Sequence, residues 1–316
     1  MIPIEEIERA RRRIANTVVE TPLVPLHLER DAPEIWLKLE SMQPIGSFKL
    51  RGAANAILSA PRSALARGVV TTSTGNMAQG VAWMARELGV AVTIVVPDNA
   101  SLAKLAAVER MGGRIVRVTW DEWWAAMEAG HADGVEGHFV HPVRDDPVIA
   151  GNGTIGLELG EQLEAIDAVL IPWGGGGLTT GIASALRAVS PGTKVYVCEP
   201  ETGAPVTAAI ANGGVPAPVD FTPSFIDGAG SGALIPAMWE HARDLITGSF
   251  ALSLEDTAAA VRLLVERGRV VAEGAAGLPV AAALSGAVEG RVVCIVSGGN
   301  IDLARLAAIL AGRVPD

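Results

Sequence analysis

A two-lobed α/β fold, each lobe an open and mostly parallel sheet flanked by helices, is what this sequence predicts from three observations. Short apolar runs suited to strands recur at 69–72, 92–96, 115–118, 168–171, 194–198 and 292–296, with helical runs between most of them. That βα rhythm gives parallel sheets covered by helices. The chain has 316 residues, more than one hydrophobic core usually holds, so two lobes are expected. Several strand ends run straight into turns rich in glycine, serine and asparagine, which is where open α/β sheets bind their ligands.

Taken in order, the N-terminal segment sets Ile4, Ile7, Ala10 and Ile14 at helical spacing on one face, ahead of Thr21-Pro22-Leu23. After a Pro44/Gly46 turn comes Ser47-Phe48-Lys49-Leu50-Arg51-Gly52-Ala53, where a lysine stands between an aromatic residue and an alanine-rich helical run. A lysine opening a helix is ordinarily a solvated charge. It acquires meaning beside two later stretches. Ser73-Thr74-Gly75-Asn76-Met77-Ala78-Gln79-Gly80 follows the run at 69–72 as a strand-to-helix turn, and Gly174-Gly175-Gly176-Gly177-Leu178 lies between the apolar run at 168–172 and a helical pattern at 178–189. Without Cβ atoms a tetraglycine backbone can close on an anion and present N–H groups to it, helped by the positive end of the following helix, so a phosphate is the expected guest. A tight turn needing positive φ accounts for one or two of these glycines. No Lys-Ser/Thr follows, as a P-loop requires, and the spacing is not G-x-G-x-x-G. The stretch 199–232, rich in Gly and Pro, lacks periodicity and reads as a long functional loop. Finally the run at 291–296 ends in Ser297-Gly298-Gly299-Asn300 before a helical pattern at 301–310, so Ser297 and the glycine loop are expected to open onto one crevice. A reactive amine, a phosphate cradle, an asparagine loop and a serine at a strand end together suit pyridoxal 5'-phosphate.

These motifs resemble those of the fold-type II pyridoxal phosphate family, specifically its threonine/serine dehydratase and serine racemase branch. The resemblance runs through Thr21-Pro22-Leu23, residues 47–53, Gly75-Asn76, His141-Pro142, Gly151-Asn152-Gly153-Thr154, Gly174 to Gly177 and Ser297 to Asn300, nearly the whole chain. It implies a tryptophan synthase β-like architecture, with residues 1–51 and 145–316 as the large cofactor-binding domain and 52–144 as the small substrate-loop domain. It implies that Lys49 bonds to the cofactor aldehyde and, once released by substrate, removes the Cα proton. A low-dielectric site with cationic neighbours lowers an amine's pKa enough for that task. By the same resemblance Phe48 packs on the cofactor, Asn76 faces its ring oxygen, and Gly174, Gly175, Gly176, Gly177 and Leu178 hold its phosphate. Glu273 lies near the ring and Ser297 faces its nitrogen. A neutral hydroxyl partner there weakens carbanion stabilisation and suits β-elimination. Ser73, Thr74, Gly75, Asn76 and Met77 are the implied substrate-binding residues.

The implied activity is that of an ammonia-lyase acting on a β-hydroxy amino acid such as threonine or serine to give a 2-oxo acid and ammonia. Racemisation and β-replacement on the same fold are alternatives, as is a phosphate-ligand binding protein without catalysis. Four departures from the pattern stand out. Thr74 replaces the serine that racemases carry, Met77 replaces a histidine, and Trp173 precedes the tetraglycine while Trp120, Trp123 and Trp124 crowd one segment. Met77 and Trp173 point to a less polar pocket. Fourth, Glu199 follows its strand as in cation-binding relatives, but Pro205 takes the place of their second carboxylate, so no metal is expected. A net charge of −10 argues against a nucleic-acid surface. Cys198 and Cys294 lie in apolar runs and read as core thiols. No apolar run approaches the ~18 residues of a membrane span, and the N-terminus shows no signal-peptide h-region, so a cytoplasmic enzyme is expected. A homodimer is expected by the resemblance.

Overall fold

The computed structural model describes residues 1–28, 34–98, 100 and 102–315, and within these ten strands build two sheets. In chain order they are β1 (Leu23–Pro25), β2 (Glu34–Leu39), β3 (Val69–Thr72), β4 (Val92–Pro97), β5 (Arg114–Val118), β6 (His138–Phe139), β7 (Ala168–Pro172), β8 (Lys194–Pro200), β9 (Gly248–Leu252) and β10 (Arg291–Val296). The larger sheet has the order β1-β2-β10-β7-β8-β9 and is parallel except where β1 pairs with β2. The smaller sheet, β5-β4-β3-β6, is parallel throughout. All six strands read from the sequence are present. β1, β2, β6 and β9 are additions.

Strand periodicity explains why helices lie on both faces of the larger sheet. Leu170, Cys198, Val292, Cys294 and Val296 point into a core with the helices Leu254–Leu263 and Gly274–Leu284. Their alternates Val169, Ile171, Val195, Val293 and Ile295 meet Ile155, Leu159, Ile182 and Leu186 of the helices Asp146–Gln162 and Gly177–Val189. Successive side chains point to opposite faces, so continuous apolar runs are what a doubly covered strand needs. The smaller sheet repeats the arrangement, with Val69, Ile94 and Val96 on one side and Val70 and Val95 on the other. Both cysteines are buried and free, and burial pushes both thiols up.

Two polar residues in this core act differently from surface charges. Glu199, at the end of β8, is buried and accepts the N–H of Val206 at 3.0 Å, the N–H of Thr207 at 2.9 Å and the Thr207 hydroxyl at 3.0 Å. Its carboxylate caps the helix Pro205–Ala211, and Pro205 sits at the position where a missing N–H costs nothing. Arg51, in the helix Lys49–Ser59, is also fully buried. Its guanidinium donates to Glu40 through Nε and Nη2, both at 2.8 Å, and to Glu158 at 2.5 and 2.9 Å. Lys38 of β2 completes the group, donating to Glu158 at 2.5 Å and to the Thr21 carbonyl at 2.7 Å. Burial alone would raise the Glu40 pKa, but the Arg51 guanidinium overrides this and holds the carboxylate below its ordinary range.

Replacing Arg51 leaves two carboxylates buried against a single lysine. Arg51→Ala is expected to destabilise the fold by about 3–5 kcal/mol, read as a lowered urea midpoint. A midpoint equal to that of the parent protein would show that the network contributes nothing to stability.

Candidate active site

The carboxyl ends of β3, β7 and β10 open on one cleft of about 1120 Å³, and each end supplies one of the turns singled out in the sequence. Phe48 and Lys49, then Ser73, Thr74, Gly75, Asn76 and Met77, all line it. So do Gly174, Gly175, Gly176, Gly177 and Leu178, together with Glu273 and Ser297. The structure therefore brings every expected site residue to one cavity.

Lys49 is the first residue of its helix, and the preceding Phe48 N–H is held by the Ser297 carbonyl at 3.0 Å. The amine stands 5.2 Å from the centre of the Phe48 ring and donates to the Pro142 carbonyl at 2.9 Å. Burial lowers its pKa to about 8, against the opposing pull of the Glu273 carboxylate. Glu273 itself is buried at the start of the helix Gly274–Leu284, which excludes an exposed helix-start role. Burial raises its pKa to about 7, with Asn76 and Lys49 pulling the other way. The Asn76 amide donates to both Glu273 oxygens, at 3.1 and 3.0 Å, and its carbonyl accepts from Asn300 at 2.8 Å. Asn76 thus ties the smaller sheet's turn to two loops of the larger sheet.

The tetraglycine is explained only partly by anion approach. Gly176 alone of the four has a positive φ, +89°. A Cβ on Gly175 would lie 2.7 Å from the Val143 methyls, and one on Gly177 would lie 2.7 Å from the Val143 carbonyl oxygen. The glycines let the loop lie flat on the 141–144 turn, and this close support shapes the loop at the N-terminus of the helix Gly177–Val189. Trp173 does not face the cleft. It is buried with Val197, Val206 and Trp239 beneath the loop, so the expectation that it makes the pocket less polar is corrected. Met77 does reach the cleft, but most of its surface belongs to the smaller sheet's core. Of the three neighbouring tryptophans, Trp123 lines the cleft while Trp120 and Trp124 are exposed.

Residues that the sequence reading passed over also line the cavity. Phe221, Asp227 and Gly228 come from the 199–232 loop, and Arg305 pairs with Asp227 at 3.1 Å. Arg110 enters from the helix Leu102–Arg110. The loop's lack of periodicity was a usable signal for the first three. Arg110 and Arg305 sit in ordinary helical patterns and gave none.

Three features of the cleft match the chemistry of a pyridoxal phosphate. Ser297, buried just after β10, lines the cleft, as a partner for a ring nitrogen would. The glycine turn and helix N-terminus leave backbone N–H groups for a phosphate. The amine of Lys49 is poised near neutrality. These residues fit the group.

Comparison with known proteins agrees. Residues 14–298 match the family described as "Pyridoxal-phosphate dependent enzyme". The L-threonine ammonia-lyase of Thermotoga maritima is 37% identical over 96% of this chain and 77% of that protein. The catabolic L-threonine dehydratase TdcB of Escherichia coli is 35% identical over 98% of this chain and 96% of that protein. Among solved structures, maize serine racemase superposes with a TM-score of 0.85 at 29% identity, covering 98% of this chain and 97% of that one. The processed form of threonine deaminase isoform 2 from Solanum lycopersicum gives a TM-score of 0.84 at 29% identity, covering 98% and 88%.

Gly175→Val is expected to weaken cofactor retention at least tenfold, about 1.4 kcal/mol, because the new side chain displaces Val143 and the loop it supports. Cofactor content after dialysis, read beside far-ultraviolet circular dichroism, checks it. Unchanged occupancy would make the loop a structural turn only.

Proposed function

This chain belongs to the family of pyridoxal-phosphate dependent enzymes, and from that premise we propose that it removes water from a small β-hydroxy amino acid such as threonine or serine, giving a 2-oxo acid and ammonia. The observation that carries the reading is the buried Lys49 amine, which lines one cleft with the turn at 73–76, the glycine turn and Ser297. The names of the two relatives, an L-threonine ammonia-lyase and an L-threonine dehydratase, each matched over nearly the whole chain, support the choice of substrate.

Bound pyridoxal phosphate supplies a carbonyl that links to amines and an electron sink for bonds at the substrate's Cα. The chain's own residues do the rest. Gly174 to Gly177 and Leu178 would hold the phosphate, Phe48 would pack on the ring, and Asn76 and Ser297 would face the ring oxygen and nitrogen. Glu273 fixes the Asn76 amide. Backbone N–H groups of Ser73 to Asn76, at the N-terminus of the helix Asn76–Leu88, receive the substrate carboxylate, with Thr74 and Met77 beside it. The free Lys49 amine, one N–H held by Pro142, presents its lone pair to the Cα proton and takes it. The β-hydroxyl leaves as water with a proton that balances the one Lys49 took from Cα, and the released enamine takes up water again as it hydrolyses to the 2-oxo acid and ammonia.

Racemisation is the second reading, supported by the likeness to maize serine racemase. Thr74 weighs against it, because the position implied for the opposite-face base carries threonine where racemases carry serine. The division into a smaller domain at 52–144 and a larger one at 1–51 and 145–316, a homodimer and a cytoplasmic location belong to the same proposal. No described helix is long and apolar enough to cross a membrane.

Assay of a β-hydroxy amino acid panel for 2-oxo acid release tests the substrate. Lys49→Ala is expected to abolish turnover with the fold intact, and more than a few per cent residual activity would refute the amine's role. The pH profile gives a second check. A base with its pKa lowered to about 8 is neutral above that pH, so kcat should rise with pH and level off there. The Glu273 carboxylate raises the Lys49 pKa, so Glu273→Gln should move this limb to lower pH. A limb that moves up, or stays, contradicts the pairing.

A further inference from the structure

We propose that His141 is a positioning residue for Lys49. Its neutral imidazole holds the 141–144 turn in the shape that brings the Pro142 carbonyl to the amine, and ties that turn to the helix carrying Trp123. The proposal rests on Lys49 as the reactive amine, and it concerns what holds that amine.

His141 follows β6 and is buried. The strand delivers it rigidly, because the Val140 N–H donates to the Val70 carbonyl at 2.8 Å and the Thr71 hydroxyl donates to the Val140 carbonyl at 2.7 Å. Its own N–H donates to an Asp145 carboxylate oxygen at 2.7 Å. Asp145 stands at the N-cap of the helix Asp146–Gln162 and makes no side-chain bond to that helix, so its carboxylate serves the turn instead. Within the turn, Nδ1 accepts the N–H groups of Val143 at 3.1 Å and Arg144 at 3.0 Å. A ring nitrogen that accepts two N–H groups carries no proton. The proton is therefore on Nε2, 3.1 Å from the Met127 carbonyl, to which it donates. Met127 lies in the last turn of the helix Trp120–Ala129, where carbonyls lack intrahelical partners.

One imidazole thus satisfies groups on two elements and sets two contacts of the cleft. The Pro142 carbonyl takes the Lys49 amine at 2.9 Å, and Val143 underlies Gly175 and Gly177. The charged groups around the ring are Arg144, Lys49 and Asp145. Burial lowers the His141 pKa to about 4, with the two cations pushing the same way. The ring remains an acceptor at neutral pH, and protonation would turn Nδ1 against two N–H groups.

Two amides separate the ring's functions. His141→Asn keeps an acceptor near the Nδ1 position, while His141→Gln keeps a donor near Nε2 and loses the acceptor. His141→Gln is expected to lower kcat about 10- to 100-fold with KM within about threefold, measured at saturating cofactor so that a loosened glycine loop is not read as lost turnover. His141→Asn should stay within about fivefold of the parent. Equal kcat in both variants, or a loss that appears in KM, overturns the proposal. Lys49→Ala is run alongside: if it retains turnover, the amine's role fails rather than the part played by His141. Imidazole ¹⁵N spectra of the parent holoenzyme test the same idea without a substitution. His141 should show the Nε2–H form and no titration between about pH 5.5 and 9. An Nδ1–H form, or titration near the ordinary histidine value, refutes it.

Discussion

The buried charge group around Arg51 is the constraint on which the rest of this structure depends. Arg51 lies two residues after Lys49 in one helix, and residues so spaced point to nearly opposite sides. Fixing the guanidinium between Glu40 and Glu158 therefore fixes the rotation of the helix, and with it the direction of the amine. The anchors come from distant parts of the chain: Glu40 follows β2, Glu158 belongs to the helix Asp146–Gln162, and Lys38 reaches Glu158 from β2 itself. Two cations face two carboxylates, so the group is neutral as a whole. Taking four charges out of water offsets most of their attraction, and a well-packed apolar set could match its net stability. What apolar packing lacks is direction, because a guanidinium bonded on both edges accepts one placement only.

The same network explains which parts of the fold the sequence displayed. Five of the six strands read from the sequence are mostly buried runs, whereas β5 is a half-exposed edge strand read from Ile115, Val116 and Val118. β2 reads Glu-Ile-Trp-Leu-Lys-Leu, and its Lys38 looks like a solvated position although it is buried against Glu158. A charge buried by a partner 120 residues away is invisible to any local pattern. β1 and β6 have only three and two residues, and β9 is a half-exposed edge strand opening with Gly248, so none carries enough periodicity to be read.

The site was more legible than the fold, for a physical reason. Lys49, the 73–76 turn, the tetraglycine and Ser297 each announce themselves locally, as a change from an apolar run to small or polar residues at the start of a helix. Sheet topology then collects strand ends on one side without further information. What sequence could not supply is what lies behind these turns. The tetraglycine was legible as a phosphate cradle, yet Gly175 and Gly177 are confined by Val143, and Trp173 packs under the loop instead of beside the ligand. Arg305 and Asp227 meet at the cleft from separate segments that carry no shared pattern.

Burial moves two ionisable groups of the cleft, Lys49 and Glu273, in opposite directions. Lys49 falls to about 8 and Glu273 rises to about 7, so the gap between an amine and a carboxyl, several units wide in water, closes to roughly one. Desolvation disfavours the charged form of each, and their mutual attraction restores part of it. Asn76 stands beside Glu273 as a fixed donor, which favours the carboxylate and keeps the balance from tipping fully to the neutral acid. The Pro142 carbonyl plays the corresponding part for Lys49, accepting an N–H from either form of the amine while leaving the lone pair of the neutral form free.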